Sequence, residues 1–487
     1  MNNGYTKIIL ACLSLSQVIA TIFVHLSNLE LYEVSRALES SGYMVVPNLQ
    51  VRPDLTTFQS AFCGGLFFTF SLGAGLTIIS MSAAWAWDRL AKRRRFLSAG
   101  AILLWGLSLI LVNAQGFDEL ISAMLLLVCP LSWWLTVKSS PATSFSDPWP
   151  VRLIFMATLI LVGGLWAFQI DDRVFLDLRD YTLWSNPAGR AISDFYYRHT
   201  LAPAEIFKSL KQKNIRTCSL PELKDANLTT RLKKAFETHD YLSLPRSLPV
   251  DLVLEAKDSD LLFFHRDQFV LKTSRQELFD DLKNVLDRYS NMTDRHRLFR
   301  RITYLSLIAG LPSTLFVFFF GCFQWIFRGV AEPRKGAIRA GILVLTLSLA
   351  ILIPVWYGRS LSVEEPNTML LSDSWWSRVA GLKTLAASSA EIHGRPYQPI
   401  LVNGLPVEKY WLAVVLGHSR RPETYPALIK LLNEPDPNVV TMALRSLGMR
   451  RDPVIIPEII KKIKLSDHWY VQWYGYRALK DLGWSQE

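Results

Sequence analysis

Residues 61–85 read AFCGGLFFTFSLGAGLTIISMSAAW and are followed closely by Arg89, Lys92, Arg93, Arg94 and Arg95. No charged side chain interrupts a run that, at a helical rise of about 1.5 Å per residue, is long enough to cross roughly 30 Å of hydrocarbon. Working outward, comparable apolar runs recur at about Ile8–Leu26, Phe96–Val112, Leu120–Val137, Leu153–Phe168, Ile302–Phe327 and Ala337–Trp356. Half of the 487 residues are apolar, among them 26 Phe, 16 Trp and 16 Tyr, and they concentrate in these runs rather than spreading at core-forming periods. The chain therefore reads as a polytopic α-helical membrane protein with about seven spans. Lys7 ahead of the first run also suits a secretory signal, but the run is long, lacks a small-x-small cleavage site and is followed by six further spans.

Basic residues in short loops stay cytoplasmic. Lys7, the 89–95 cluster, Lys138 with Arg152, and Arg328, Arg334, Lys335 and Arg339 all fall on one side of the seven runs. The opposite short loops, 27–58 and 113–119, hold only Arg36 and Arg52. This predicts a cytoplasmic N-terminus and, after an odd number of spans, an extracytoplasmic C-terminus. Arg295, Arg297, Arg300 and Arg301 dissent, but they close a long external segment, which weighs little in this rule. The net charge of +11 thus reads as an orientation signal, and no nucleic-acid partner is expected. Four of the 5 Cys lie in apolar runs, so Cys218 alone cannot found a disulfide framework or a CxxC metal site.

Ion-coupled carriers keep ionisable residues at bilayer depth. Here the span interiors hold none; His25 and Glu119 stand at span ends. Gly64, Gly65, Gly73 and Gly75 suit a span at the centre of the bundle, and Pro312 suits a kink. No heme-attachment motif, P-loop, zinc spacing or nucleophile motif occurs, and no cofactor is expected.

Residues 170–300 turn polar and are long enough for an α+β domain. It opens on Asp171, Asp172, Arg173, Asp177, Arg179 and Asp180. Several carboxylates suit a hard cation, which makes Asp171 and Asp172 weak metal candidates, although interleaved arginines favour a solvated collar. An Asn186-Pro187 turn leads to a helix through Asp194 and His199, the weak acid-base candidates, with Arg198 four residues from Asp194. Further helices are expected from Pro203 to about Lys213 and over Leu228–Thr238. Strands are expected at Val250–Glu255 and Leu261–Lys272 around a Lys257–Asp260 turn, then a helix over Gln276–Tyr289 capped by Ser274.

Beyond Trp356 an internal repeat emerges: Gly381-Leu-Lys-Thr-Leu385-Ala386, Leu412-Ala-Val-Val-Leu416-Gly417, Ala443-Leu-Arg-Ser-Leu447-Gly448 and Ala478-Leu-Lys-Asp-Leu482-Gly483, spaced 31, 31 and 35 residues apart. The middle two repeats continue into second helices, Tyr425–Leu432 and Ile456–Ile463, each with Pro at its second position. The pattern resembles the HEAT-repeat family, in particular the short type of phycobilisome lyase-like proteins, over about residues 372–487. Ala386 departs from the Gly position, and the last unit lacks a second helix. The resemblance implies a solenoid that holds protein partners; the lyase chemistry of some members does not carry over. A solenoid presents a concave surface suited to protein contact, with Trp375, Trp376, Trp411, Trp469, Trp473 and Tyr474 as exposed candidates for partner binding.

The expected organisation is spans one to five in 1–169, an extracytoplasmic α+β domain in 170–300, spans six and seven in 301–358 and helical repeats in 372–487. The expected role is a scaffold or assembly protein of a bacterial inner membrane, with periplasmic domains, whose partners are other membrane or envelope proteins and the lipid bilayer. A transporter subunit and a membrane enzyme acting on envelope or lipid-linked substrates are the alternatives.

Overall fold

The computed structural model describes residues 4–139, 149–221, 226–257, 260–361, 365–392, 394 and 396–486. Its main elements begin with helices α1 (Gly4–Ser40), α2 (Phe58–Arg89), α3 (Arg95–Val112), α4 (Glu119–Ser139), α5 (Trp149–Ala167) and α6 (Pro187–Ala204). Next come β1 (Arg216–Ser219), α7 (Ala226–Thr238), β2 (Tyr241–Ser243), β3 (Leu252–Lys257), β4 (Asp260–His265), β5 (Gln268–Ser274), α8 (Arg275–Asp280) and α9 (Leu282–Met292). Helices α10 (Arg297–Arg328) and α11 (Pro333–Ser360) precede α12 (Trp375–Ser388), α13 (Gln398–Asn403), α14 (Pro406–His418), α15 (Tyr425–Leu431), α16 (Pro437–Arg450), α17 (Ile456–Leu465) and α18 (Trp469–Asp481). The chain divides into two compact units: Met1–Leu26, Phe58–Leu178 and Arg295–Tyr357 form one, and Ser27–Thr57, Arg179–Asp294 and Gly358–Glu487 the other.

In the first unit, α1, α2, α4, α5, α10 and α11 are the six helices long and apolar enough to cross a membrane, and Phe96–Val112 of α3 is a shorter apolar helix. Helix α1 continues past its apolar run to Ser40, so the expected loop after the first span begins as helix. Ile102, Leu103, Leu104 and Ile160 point outward from α3 and α5, the exposed apolar surface that hydrocarbon rather than water suits.

Helices α2 and α10 are each interrupted by a π turn, at Thr69–Gly73 and Ser306–Gly310, and they meet closely there. A Cβ on Gly310 would lie 2.6 Å from the Gly75 Cα, so only glycine permits this approach. The Ser306 hydroxyl donates to the Ser71 carbonyl, and Thr314 Oγ1 donates to the Ala74 carbonyl at 3.0 Å. Pro312 has no N–H to give the carbonyl four residues earlier, which is that of Ile308. Trp166 Nε1 donates to that carbonyl at 2.7 Å, so an indole from α5 takes the place of the missing backbone donor.

The second unit contains a five-stranded sheet in the order β2-β1-β3-β4-β5, parallel between β1 and both its neighbours and antiparallel through β3, β4 and β5. The expected strand Leu261–Lys272 is two strands. Arg266 and Asp267, with φ of 48° and 63°, fold it into a hairpin. Residues 258 and 259 of the expected Lys257–Asp260 turn lie outside the described residues. The expected helix Gln276–Tyr289 is broken at Asp281, whose side chain accepts from Asn284 N at 3.2 Å and starts α9 anew; Ser274 does cap α8, accepting from Glu277 N at 3.1 Å. Pro203 does not open a helix but sits in the last turn of α6, and Glu205–Phe207 and Leu210–Gln212 are single 3-10 turns.

Helices α12, α14, α16 and α18 stack side by side, with α13, α15 and α17 packed behind them. The residues that set the repeat, Leu385, Leu412, Leu416, Ala443, Leu447 and Ala478, are all buried in one continuous core, because no helix pair can cover its own apolar face. Arg450 joins successive units, donating to the carbonyls of Ser419 and Arg421 and to Thr424 Oγ1 at 2.7 Å. Residues 362–364, between α11 and the repeats, lie outside the described residues.

Candidate functional site

The stacked layer α12-α14-α16-α18 carries the aromatic residues singled out from sequence, and the chain's own segments cover them. Arg179–Leu183 forms a π turn, and Trp184 follows it. Asp180 is fully buried at the centre. Its Oδ1 accepts from Arg179 Nε and Nη2 at 2.9 and 2.8 Å, while its Oδ2 accepts from Trp411 Nε1 at 2.8 Å and from Lys383 Nζ at 2.9 Å. Two cations and an indole thus compensate one carboxylate, the condition under which a buried charge is tolerated. The Arg179 guanidinium lies 3.9 Å from the Trp184 ring centre and 4.3 Å from that of Tyr410. Burial disfavours its charge, but Asp180 outweighs that and raises its pKa. Lys383 Nζ stands 4.3 Å over the Tyr181 ring, and Tyr181 stacks on Trp376 at 5.2 Å and 12°. Trp375 continues the stack, 4.1 Å from Trp376.

Helix α6 extends this contact toward the last repeat. Asn186 caps it, accepting from Gly189 N at 2.8 Å, and Trp184 Nε1 ties back to Ser193 Oγ at 2.8 Å. Tyr197 stacks on Tyr470 at 4.6 Å and 17°. Arg198 bridges Asp194 at 3.9 Å and Asp467 at 3.6 Å, and Asp194 lies 3.7 Å from His468 Nε2. Lys208 Nζ lies 4.4 Å over the Trp473 ring, and Asn214 Nδ2 donates to the Trp473 carbonyl at 2.8 Å. A third segment, after α1, places Asn48 against α18: its N–H donates to Gln472 Oε1 at 3.0 Å and Gln472 Nε2 returns a bond to Asn48 Oδ1 at 2.6 Å.

These contacts correct the expected exposure. Trp469 is buried at 4% exposure, and Trp375, Trp376, Trp411, Trp473 and Tyr474 are half-buried. Asp194 and His199 share α6 but face different neighbours: Asp194 meets Arg198 and His468, whereas the His199 ring packs on Phe195 at 4.9 Å. Burial, aided by Arg198, lowers the His199 pKa. The same causes bring His468 down to about 4, so its Nδ1 stays free to accept from Tyr470 N at 3.2 Å and cap α18. Asp171 and Asp172 are exposed, with Asp171 Oδ1 accepting from Arg173 N at 2.9 Å. Among the described residues no group of three or more His, Cys, Asp or Glu side chains is placed to hold a metal ion. Cys218 is buried in the sheet core, and burial pushes its thiol far above the usual range, away from reactivity. Sequence reasoning missed Lys383, Tyr410 and Tyr470 and placed Asp180 only in an acidic stretch; the one available signal was the closeness of Arg179, Asp180, Tyr181 and Trp184 inside it.

Residues 400–482 match the family model for HEAT repeats. The C-terminal region is a HEAT-repeat module. No curated protein and no solved structure matches the chain. HEAT repeats imply protein–protein interaction, and the repeats here already hold polypeptide: a π turn, a helix and a loop of the same chain.

Proposed function

We propose that this protein is an integral membrane scaffold or assembly protein of a bacterial inner membrane, with its N-terminus cytoplasmic and its HEAT-repeat unit in the periplasm. The observation that carries this reading is a HEAT solenoid and six long apolar helices in a single chain. The short-loop basic residues support the orientation, which needs α3 to cross as a seventh span; its 18 residues are within the workable range. Since the aromatic residues of α12, α14 and α18 are occupied by the chain itself, envelope proteins dock elsewhere on the same unit. The outer stripe of α6 supplies an apolar surface at helical spacing, with Ile192 61% exposed and Phe195 and Tyr196 each 41% exposed. Its opposite face is fixed by Trp184 and Tyr197, so the stripe is preorganised for contact.

Co-purification in mild detergent tests this. The unaltered chain retains a defined set of envelope proteins, and Ile192→Ser with Tyr196→Ser loses them while thermal stability is kept. Retention of the same set by that variant contradicts the placement, and an inactive alkaline phosphatase fused after Glu487 contradicts the orientation.

A further inference from the structure

The arginines that run against the charge rule, Arg295, Arg297 and Arg301, line a cavity of about 340 Å³ in the first unit, between the end of α3 and the start of α10. Its construction begins with the loop joining α3 to α4. Asn113 Oδ1 accepts from Asp118 N at 2.8 Å, and Asn113 Nδ2 donates to Ser122 Oγ at 2.8 Å, which closes that loop. Asp118 is fully buried and sits 2.7 Å from His296 Nδ1. Arg295 Nε donates to His296 Nε2 at 3.1 Å, so His296 carries its proton on Nδ1 and gives it to Asp118. Arg295 also donates to the Phe117 carbonyl at 2.8 Å and faces Glu119 at 3.6 Å. Its guanidinium is thereby fixed at the cavity and offset by one carboxylate.

Arg297 and Arg301 differ. They stand four residues apart on one face of α10, both are exposed, and among the described residues neither forms an ion pair. The remaining wall is mostly apolar, formed by Leu111, Val112, Ala114 and Leu298, with Gln115 as its one uncharged polar side chain. Below it the exposed faces of α3 and α10 continue as Leu107, Ile110 and Leu305. Two uncompensated guanidiniums over an apolar wall, at the ends of helices whose other exposed residues are hydrocarbon-like, match an amphiphile with an anionic head. We infer that this cavity binds the phosphate headgroup of an anionic phospholipid, with Arg297 and Arg301 on the phosphate and the acyl chains along Leu111 and Leu298. The inference rests on α3 and α10 meeting the bilayer, but not on which side the C-terminus lies.

The test is native mass spectrometry of the full chain with dioleoyl phosphatidylglycerol, dioleoyl phosphatidylcholine or inorganic phosphate added. Phosphatidylglycerol is retained in preference to phosphatidylcholine, and Arg297→Gln with Arg301→Gln weakens its retention by about fivefold per arginine. Ala114→Trp, which fills the cavity and leaves every charge in place, also lowers retention. Arg334→Gln with Lys335→Gln, in the loop between α10 and α11, does not. Equal retention of the two lipids, or undiminished phosphatidylglycerol binding by both cavity variants, overturns the inference. Competition by inorganic phosphate at the same concentration as the lipid also overturns it, since the site is then one for a free anion. Membrane insertion, followed by fractionation, reports separately on the spanning reading.

Discussion

The two units are held together by different forces. In the first, helices meet through glycines and through hydroxyls that donate to backbone carbonyls, as at Gly75, Gly310, Ser306 and Thr314. Ser132 Oγ adds a bond to the Thr77 carbonyl at 3.1 Å. In the second, whole aromatic rings and compensated charges are buried, as at Asp180 with Arg179 and Lys383, and at Glu408 with Arg378, 2.5 Å away. On the proposed membrane-spanning reading of the first unit, lipid tails are as apolar as leucine, so burying leucine between its helices gains little, and close backbone approach with hydrogen bonds carries the packing. In water, burial of a large ring removes apolar surface from solvent and dominates. The difference locates each unit's weak points: loss of a buried counter-charge in the second, gain of a methyl group in the first.

The largest expected effect follows from Asp180→Ala, which leaves the Arg179 and Lys383 cations buried without their carboxylate. We expect a loss of about 3–5 kcal/mol in the second unit, read as a drop in its thermal midpoint, with membrane insertion unchanged. An unaltered midpoint would break the contrast between the units.

A pH series sharpens it next. His468 titrates near 6.5 when unfolded and near 4 when folded, so between these values the unfolded chain binds the extra proton. Stability is complete above about pH 6.5 and falls as pH drops toward 4, by up to roughly 3 kcal/mol. His468→Asn, which keeps a capping acceptor and removes the titration, should flatten this part of the acid unfolding profile.

How much of this was legible follows from the range of each interaction. The apolar runs and the 31-residue repeat are local patterns, and both reappear as helices in the expected places. The π turns in α2 and α10 were not legible; Pro312 marked the neighbourhood of the second, but Trp166, the donor that replaces its missing N–H, lies far away in sequence. Strands β1 and β2 are too short for a period-2 signal. The covering of these aromatics was not legible for the same physical reason: the ring pattern of Trp375, Trp376 and Trp411 is local, whereas the partners Asp180 and Tyr181 come from about 195 to 231 residues earlier. Asp180 itself was counted in an acidic cluster, where adjacent Arg179 hinted at a paired charge rather than a cation site.

A smaller effect is expected from Gly310→Ala or Gly75→Ala. The added methyl group would meet Gly75 Cα at 2.6 Å or the Ser306 side chain, and the helices must separate. Overpacking of this kind costs about 1–3 kcal/mol, measurable by unfolding in detergent, and it should leave the second unit untouched. Smaller still is Trp166→Phe, which removes only the donor to the Ile308 carbonyl and should cost about 1 kcal/mol.

The central claim is that the aromatics of α12 and of the HEAT repeats hold the chain's own 179–204 segment. Hydrogen–deuterium exchange on the full chain in lipid nanodiscs, comparing the unaltered protein with Trp376→Ala plus Trp411→Ala, tests this most directly. The account predicts faster exchange of amides across 179–204 in the variant, because Tyr181 loses its stacking partner and Asp180 loses an indole donor. Exchange in that segment identical to the unaltered protein would contradict the claim and return those tryptophans to the role of a free partner-binding surface.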